Sequence, residues 1–401
     1  MSDGLFTQTH QRGAVRDEVS SRAWLRAMLE AEAALAGACA DAGVFPAATA
    51  DAITAACADT DRYHDAELGA SAAQTGNPVV GLVAAIQGAV PDDVAIYVHY
   101  GATSQDIIDT AAMLVTRRAM TVLGTDLGGC AQAAASLVAR HRDTPMVART
   151  LLQQAVPSTF GLKAASWLHG IELISRRLTD LQQQLPAQLG GAAGTLEGYP
   201  DPGSGLHVAR SFAARVGLVN PRLPWHTLRY PIGDLAGALA TTAGVLGKIA
   251  LDLVLLAQTE VGEITIPEDG RGGSSTMAHK RNPVAAIAAR SAAKRAPGLA
   301  ATLFSSMEQE HERAAGAWQA EWPALSELLV CVGSAAAWLN NALECFDLDA
   351  DRMAANLAAL GSSATTGCAA ALVDRALADH RLMTGDTGAD EDPRPAMEGT
   401  N

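Results

Sequence analysis

The chain is short of aromatic residues, cysteines and clustered basic charge, and each shortage removes a class of function. Aromatics make up only 4% of its 401 residues. That is too few for sheets built on aromatic and β-branched side chains, whereas the abundant alanine suits close-packed helices. The six cysteines (Cys39, Cys57, Cys130, Cys331, Cys345 and Cys368) are scattered without a C-x-x-C pair, so neither a disulfide framework nor a zinc site is expected. Acidic residues outnumber basic ones, leaving a net charge of −14. With no basic run carrying interleaved aromatics, neither nucleic acid nor a membrane surface is an expected partner. The segment Met1 to Arg16 has no apolar stretch after a basic start, which points to a cytoplasmic protein. The most apolar run, Leu235 to Ala257, is interrupted by Lys248 and Asp252 and reads as a core helix, not a membrane span.

What the chain does have is 49% hydrophobic residues, enough for a sizeable core, arranged with helical periodicity. Ser20 or Ser21 can cap a helix whose apolar positions Trp24, Leu25, Met28, Leu29 and Leu35 run until Gly43. The pattern predicts five long helices, over about 105–141, 158–185, 232–264, 284–309 and 318–343. In the third, Leu235, Leu239, Thr242, Leu246, Ile249, Leu253 and Leu256 alternate steps of four and three, a heptad seam. Ala236, Ala240, Ala243 and Ala250 lie off that seam and are expected to meet helices of other subunits. The domains read as 1–98, a helical start; 99–345, a long-helix bundle; 346–383, a short helical region; and 384–401, a Gly-, Pro- and acid-rich tail expected to be disordered.

Three segments carry candidate chemistry. The first, Gly270 to Pro283, places three glycines before Ser274 and Ser275 and follows them with Lys280 and Asn282. A serine acting as a base needs N–H donors, a nearby cation and exclusion of water, and a glycine-rich loop can supply them. The second, His99 to Thr110, sets Thr103, Ser104 and Gln105 at a helix start, where exposed N–H groups favour an anion. The third, Arg149 to Gly161, reads as the opening of another long helix. Each segment alone also fits ordinary structure: a flexible linker, an N-cap beside a core histidine, a capped helix start.

Together, in this order and spacing, the three segments resemble the signature regions of the fumarase/aspartase superfamily, over roughly residues 5–360. The resemblance implies an all-α fold, a long-helix bundle subunit assembled into a twenty-helix homotetramer whose sites draw on three subunits. It implies Ser274 as the catalytic serine. It also implies His99, Thr103, Ser104, Gln105, Gln153, Ser275, Lys280 and Asn282 around a small anionic tricarboxylate, with no metal and no organic cofactor. Leu151-Leu-Gln-Gln-Ala155, Pro224-Trp-His-Thr227 and Gln309-Glu-His-Glu-Arg313 are most similar to the superfamily's cycloisomerase branch.

Two departures stand out. Ala278 replaces a family proline, and Leu151 and Gln154 stand where amine-expelling relatives carry histidine. Expelling an amine needs a general acid; opening a lactone expels a carboxylate whose conjugate acid has a pKa of about 4, and needs none. No role is assigned at this level to His226, His311 or Arg313.

Overall fold

The computed structural model describes residues 4–267, 272–273, 276–277 and 280–385. After two single-turn helices, α1 (Ser21–Asp41) begins where Ser20 Oγ accepts the Ala23 N–H at 3.2 Å, and the chain turns away at Gly43, φ +73°. Short helices α2 (Ala47–Ala58), α3 (Asp65–Thr75) and α4 (Val79–Gln87) follow. Then comes α5 (Ser104–Arg140), and a hairpin of β1 (Pro145–Thr150) and β2 (Gln153–Thr159) that leads into α6 (Phe160–Gln183). Asp201 caps α7 (Pro202–Val216), with Pro202 at its first position. The remainder comprises α8 (Tyr230–Leu256), β3 (Ile264–Thr265), α9 (Val284–Ser305), α10 (Ala317–Glu344), β4 (Asp347–Leu348), α11 (Ala350–Ala359) and α12 (Ala369–Thr384). The fold is mainly helical, with two antiparallel two-stranded ribbons added.

The chain divides into two compact units. The first comprises Met1–Gly128, Ile174–Val254 and Pro283–Ala342; the second, Gly129–Leu173, Leu255–Asn282 and Leu343–Asn401. All seven seam positions of α8 are buried. Here one expectation is corrected: Ala236, Ala243 and Ala250 are buried by the chain's own helices and only Ala240 is partly open. A helix wound at 3.6 residues per turn carries the side chains next to the seam into the same crowded interior. The outward face of α8 is instead a second series, Asp234, Thr241, Gly244 and Lys248, in steps of three or four with half-buried Gly237 between.

Helix α8 also stops earlier than the expected end at 264. Gly262 adopts φ +62°, and the Glu263 N–H returns to the Leu256 carbonyl at 3.0 Å, closing the last turn. By length and composition α5, α8 and α10 could each cross a bilayer. Each nonetheless carries charge within its span: Arg117 and Arg118; Lys248, ion-paired with Asp252; Glu321 and Glu327.

In the second unit the hairpin is tied to α11 through Glu263. This buried carboxylate takes both Arg149 Nη atoms (2.9 and 2.7 Å) and Asn356 Nδ2 (2.9 Å). Helix α12 is held by His380 Nδ1 against Glu172 Oε1 at 2.7 Å and by Asp374 against Arg142 at 2.7 and 2.6 Å. Thr384, which the sequence reading gave to the tail, is the last residue of α12. Residues 386–401 lie outside the described residues.

Candidate active site

The start of α5 is built around one carboxylate. Asp106 Oδ2 accepts the Thr103 N–H at 2.9 Å, and the Asp106 N–H returns to the Thr103 carbonyl at 2.9 Å, locking the first turn. The same side chain, fully buried, also accepts the Gly190 and Gly191 N–H groups, both at 3.0 Å, and lies 2.7 Å from His226 Nε2. Four donors saturate it. Asp106 therefore fixes the helix start, a glycine loop and a histidine in one place, and has no capacity left for a ligand.

Around that joint, Gln105 is equally committed. Its Nε2 donates to Asp109 Oδ2 (3.1 Å) and to the His226 carbonyl (2.8 Å), and its Oε1 accepts from Arg313 Nη1 at 2.6 Å. Arg313 Nη2 is held by the Ala192 carbonyl at 2.6 Å and the Gly191 carbonyl at 3.3 Å. All its hydrogen-bond partners among the described residues are neutral, and burial draws its pKa down against the opposing pull of Asp106 and Asp109. Beneath, Arg229 is buried between Asp109 (2.7 and 2.9 Å) and Glu321 (3.0 and 2.6 Å), with Trp318 Nε1 and Gln309 Nε2 completing those carboxylates. Burial pushes Glu321 above the usual carboxylate range, opposed by Arg229.

Of the residues expected to meet substrate here, Gln105 is turned inward, buried and saturated by protein partners, which leaves His99, Thr103 and Ser104. Thr103 and Ser104 are half-buried, and among the described residues neither hydroxyl has a partner. His99 sits at φ +61° with its Nδ1 2.6 Å from Glu32 Oε1. Burial pulls the His99 pKa down, but Glu32 and Asp106 more than offset this, so it lies above the ordinary value. A helix start with free hydroxyls, next to a guanidinium held only by neutral groups, suits an anion.

The second unit holds Gln153, Lys280 and Asn282. The third segment is not a helix start, as expected from sequence, but the β1–β2 hairpin; the helix begins only after Thr159, whose Oγ1 accepts the Leu162 N–H at 3.1 Å. The hairpin turns on Leu151 and Leu152, both at positive φ (+51° and +65°) and 96% and 75% exposed. Gln153 follows, exposed, on β2.

The glycine-rich loop closes at its neck. The Gly272 carbonyl accepts both the backbone N–H (2.9 Å) and the Nδ2 (3.0 Å) of Asn282, and Gly273 bridges Arg281. At Gly272, φ +73°, a Cβ would stand 2.2 Å from the Asn282 carbonyl oxygen, so only glycine fits. Lys280 is exposed beside this neck. Ser274 and Ser275, the expected catalytic serine and its neighbour, lie outside the described residues, as does Ala278.

Residues 4–298 match the lyase family model. The chain belongs to that family, within the fumarase/aspartase superfamily. Two curated relatives are each 46% identical to it. One is a nitrosuccinate lyase of Streptomyces davaonensis, over 93% of this chain and 81% of the relative. The other is a 3-carboxy-cis,cis-muconate cycloisomerase of Bradyrhizobium diazoefficiens, over 86% and 77%. The crystal structure of the 3-carboxy-cis,cis-muconate lactonizing enzyme from Pseudomonas putida superposes with a TM-score of 0.82 at 37% identity, covering 96% of this chain and 90% of that one.

Sequence reading took Asp106 only as part of a helix start, left His226 and Arg313 without a role and passed over Glu32, because what joins them is long-range contact. Only the Gly190-Gly191-x-x-Gly194 cluster gave a signal that could have found the joint: glycines allow backbone to approach a buried carboxylate closely.

Proposed function

We propose that this lyase-family enzyme interconverts 3-carboxy-cis,cis-muconate and a carboxymuconolactone. Relatives and a solved structure bearing that activity in their names support the reading. The observation that carries it lies in the β1–β2 hairpin: Leu151 at its exposed tip and Gln154 on β2 stand where amine-expelling lyases carry histidine, and lactone chemistry needs no such acid.

In the closing direction one substrate carboxylate oxygen bonds to the neighbouring alkene carbon. The alkene electron pair moves to the adjacent carbon and into the carboxylate it bears. Thr103, Ser104, Arg313, Lys280 and Asn282 stabilise that charge. Ser274 transfers its hydroxyl proton to the carbon and is reprotonated from water, so the opening direction has it as base. The site works in a homotetramer in the cytoplasm, the assembly being supported by the outward series on α8.

Loss of muconate ultraviolet absorbance on adding the protein tests the activity. Ser274→Ala should cut turnover by on the order of 10³-fold or more while folding is unchanged, as for a group acting only in the transition state; near-normal turnover would remove Ser274 from this role. A second reading, elimination of nitrite from nitrosuccinate, is favoured by the nitrosuccinate lyase aligned over 93% of the chain. Nitrite, like a carboxylate, leaves as a stable anion without an acid. Rates with the two substrates side by side, with nitrite assayed, separate them.

A further inference from the structure

Glu32 is a buried carboxylate that the reaction above does not use. It lies on α1, in the first unit, with its side chain 0% exposed; Oε1 is 2.6 Å from His99 Nδ1, and Oε2 has no hydrogen-bond partner among the described residues. The His99 side chain is 16% exposed, and its Nε2 makes no hydrogen bond among the described residues. Four residues on, the free hydroxyls of Thr103 and Ser104 open α5. A carboxylate behind an imidazole fixes which nitrogen carries the proton, sets the ring's orientation and strengthens the opposite nitrogen as a donor when the ring is charged.

We propose that Glu32 is a positioning residue: it holds His99 with Nδ1–H turned inward, so that Nε2–H is presented as a charged donor to a substrate carboxylate at the start of α5. The inference rests on the carboxylate-substrate reading above. The geometry supports it in two ways. His99 is held at φ +61°, in the sparsely populated left-handed region, which fixes where its ring is directed. Among the described residues His99 is the one basic group paired with the buried Glu32, and the other ionisable groups that act on the pair, Asp106 from α5 and the Cys57 thiol from α2, are not cations.

The test uses the full-length protein carrying ¹⁵N-labelled histidine, with His99→Gln identifying the His99 signals, and two substitutions, E32Q and E32Q/H99Q. Glutamine keeps an acceptor for Nδ1–H but removes the charge. In the unaltered protein His99 should titrate above the ordinary histidine value and respond to tricarballylate, an inert tricarboxylate. In E32Q the titration should move to lower pH, and KM for 3-carboxy-cis,cis-muconate should rise on the order of 10- to 100-fold with a smaller change in kcat. E32Q/H99Q should be no worse than H99Q, because Glu32 acts through His99.

Additive losses in the double variant, or an E32Q enzyme whose KM and His99 titration are unchanged, would overturn the proposal. If no muconate is turned over, the substrate reading fails alone, and the tricarballylate response still decides the role of Glu32. If E32Q does not fold, His99 titrating at or below the ordinary value in the unaltered protein overturns it.

Discussion

Arg229 shows how a residue can govern a site that it does not enter. Its guanidinium satisfies Asp109 and Glu321 together, and these carry Gln105, Trp318 and Gln309. Removing one partner of a buried ion network strands the others, which costs more than the network itself contributes. Arg229→Met should therefore destabilise the fold by about 3–5 kcal/mol, read as a lower urea midpoint; an unchanged midpoint would mean the cluster is not buried as described. The Glu32–His99 pair gives a pH-dependent term. Because the folded pKa of His99 is raised, the stability contributed is fully present below about 6.5, the unfolded value, and is lost as pH rises through the folded value. The gap in urea midpoint between the unaltered protein and E32Q should shrink across that window. A gap that widened with pH would contradict the assigned direction.

Among the elements, the hairpin is the one whose form departs most from its sequence. Leucine in the left-handed region costs roughly 1–2 kcal/mol per residue, and two-residue hairpin turns ordinarily take Asn-Gly. L151N/L152G should raise the unfolding midpoint yet lower turnover, if an apolar tip beside the substrate is what the strain secures. A gain in stability with full activity would leave the leucines without a function.

The same element marks what the sequence could and could not disclose. Helices α1 and α8 were legible, since Ser20, Gly43 and the seven-position seam act locally, whereas α7 was not read although Asp201 caps it. The hairpin was not, because Leu-Leu carries no turn signal and only the Arg149–Glu263–Asn356 tie, distant in sequence, fixes its base. In the site, the hydroxyls at the α5 start were readable from the cap pattern. The joint at Asp106 was not, since its glycine and histidine partners lie 84 to 120 positions away.

For the whole molecule, the outward series on α8 is the feature that bears on assembly. Asp234, Thr241, Gly244 and Lys248 expose small and polar groups along one face of α8, and a Cβ at Gly244 would meet nothing within 4 Å beyond its chain neighbours and its own helix backbone. An arginine fits there without disturbing the subunit. G244R should keep its helical circular dichroism and lose the proposed tetramer by light scattering, with activity falling alongside; a tetramer that persists in the variant would place the interface elsewhere.

The saturated carboxylate at the α5 start has a consequence for how such an enzyme changes its substrate over time. Altering Asp106 would disturb a helix start, a glycine loop and a histidine at once, so a viable replacement needs three simultaneous repairs. Among the described residues Thr103 and Ser104 bind nothing through their hydroxyls, and either can be exchanged singly. New substrates are thus reached most cheaply by trading the outward hydroxyls one at a time over an inherited frame.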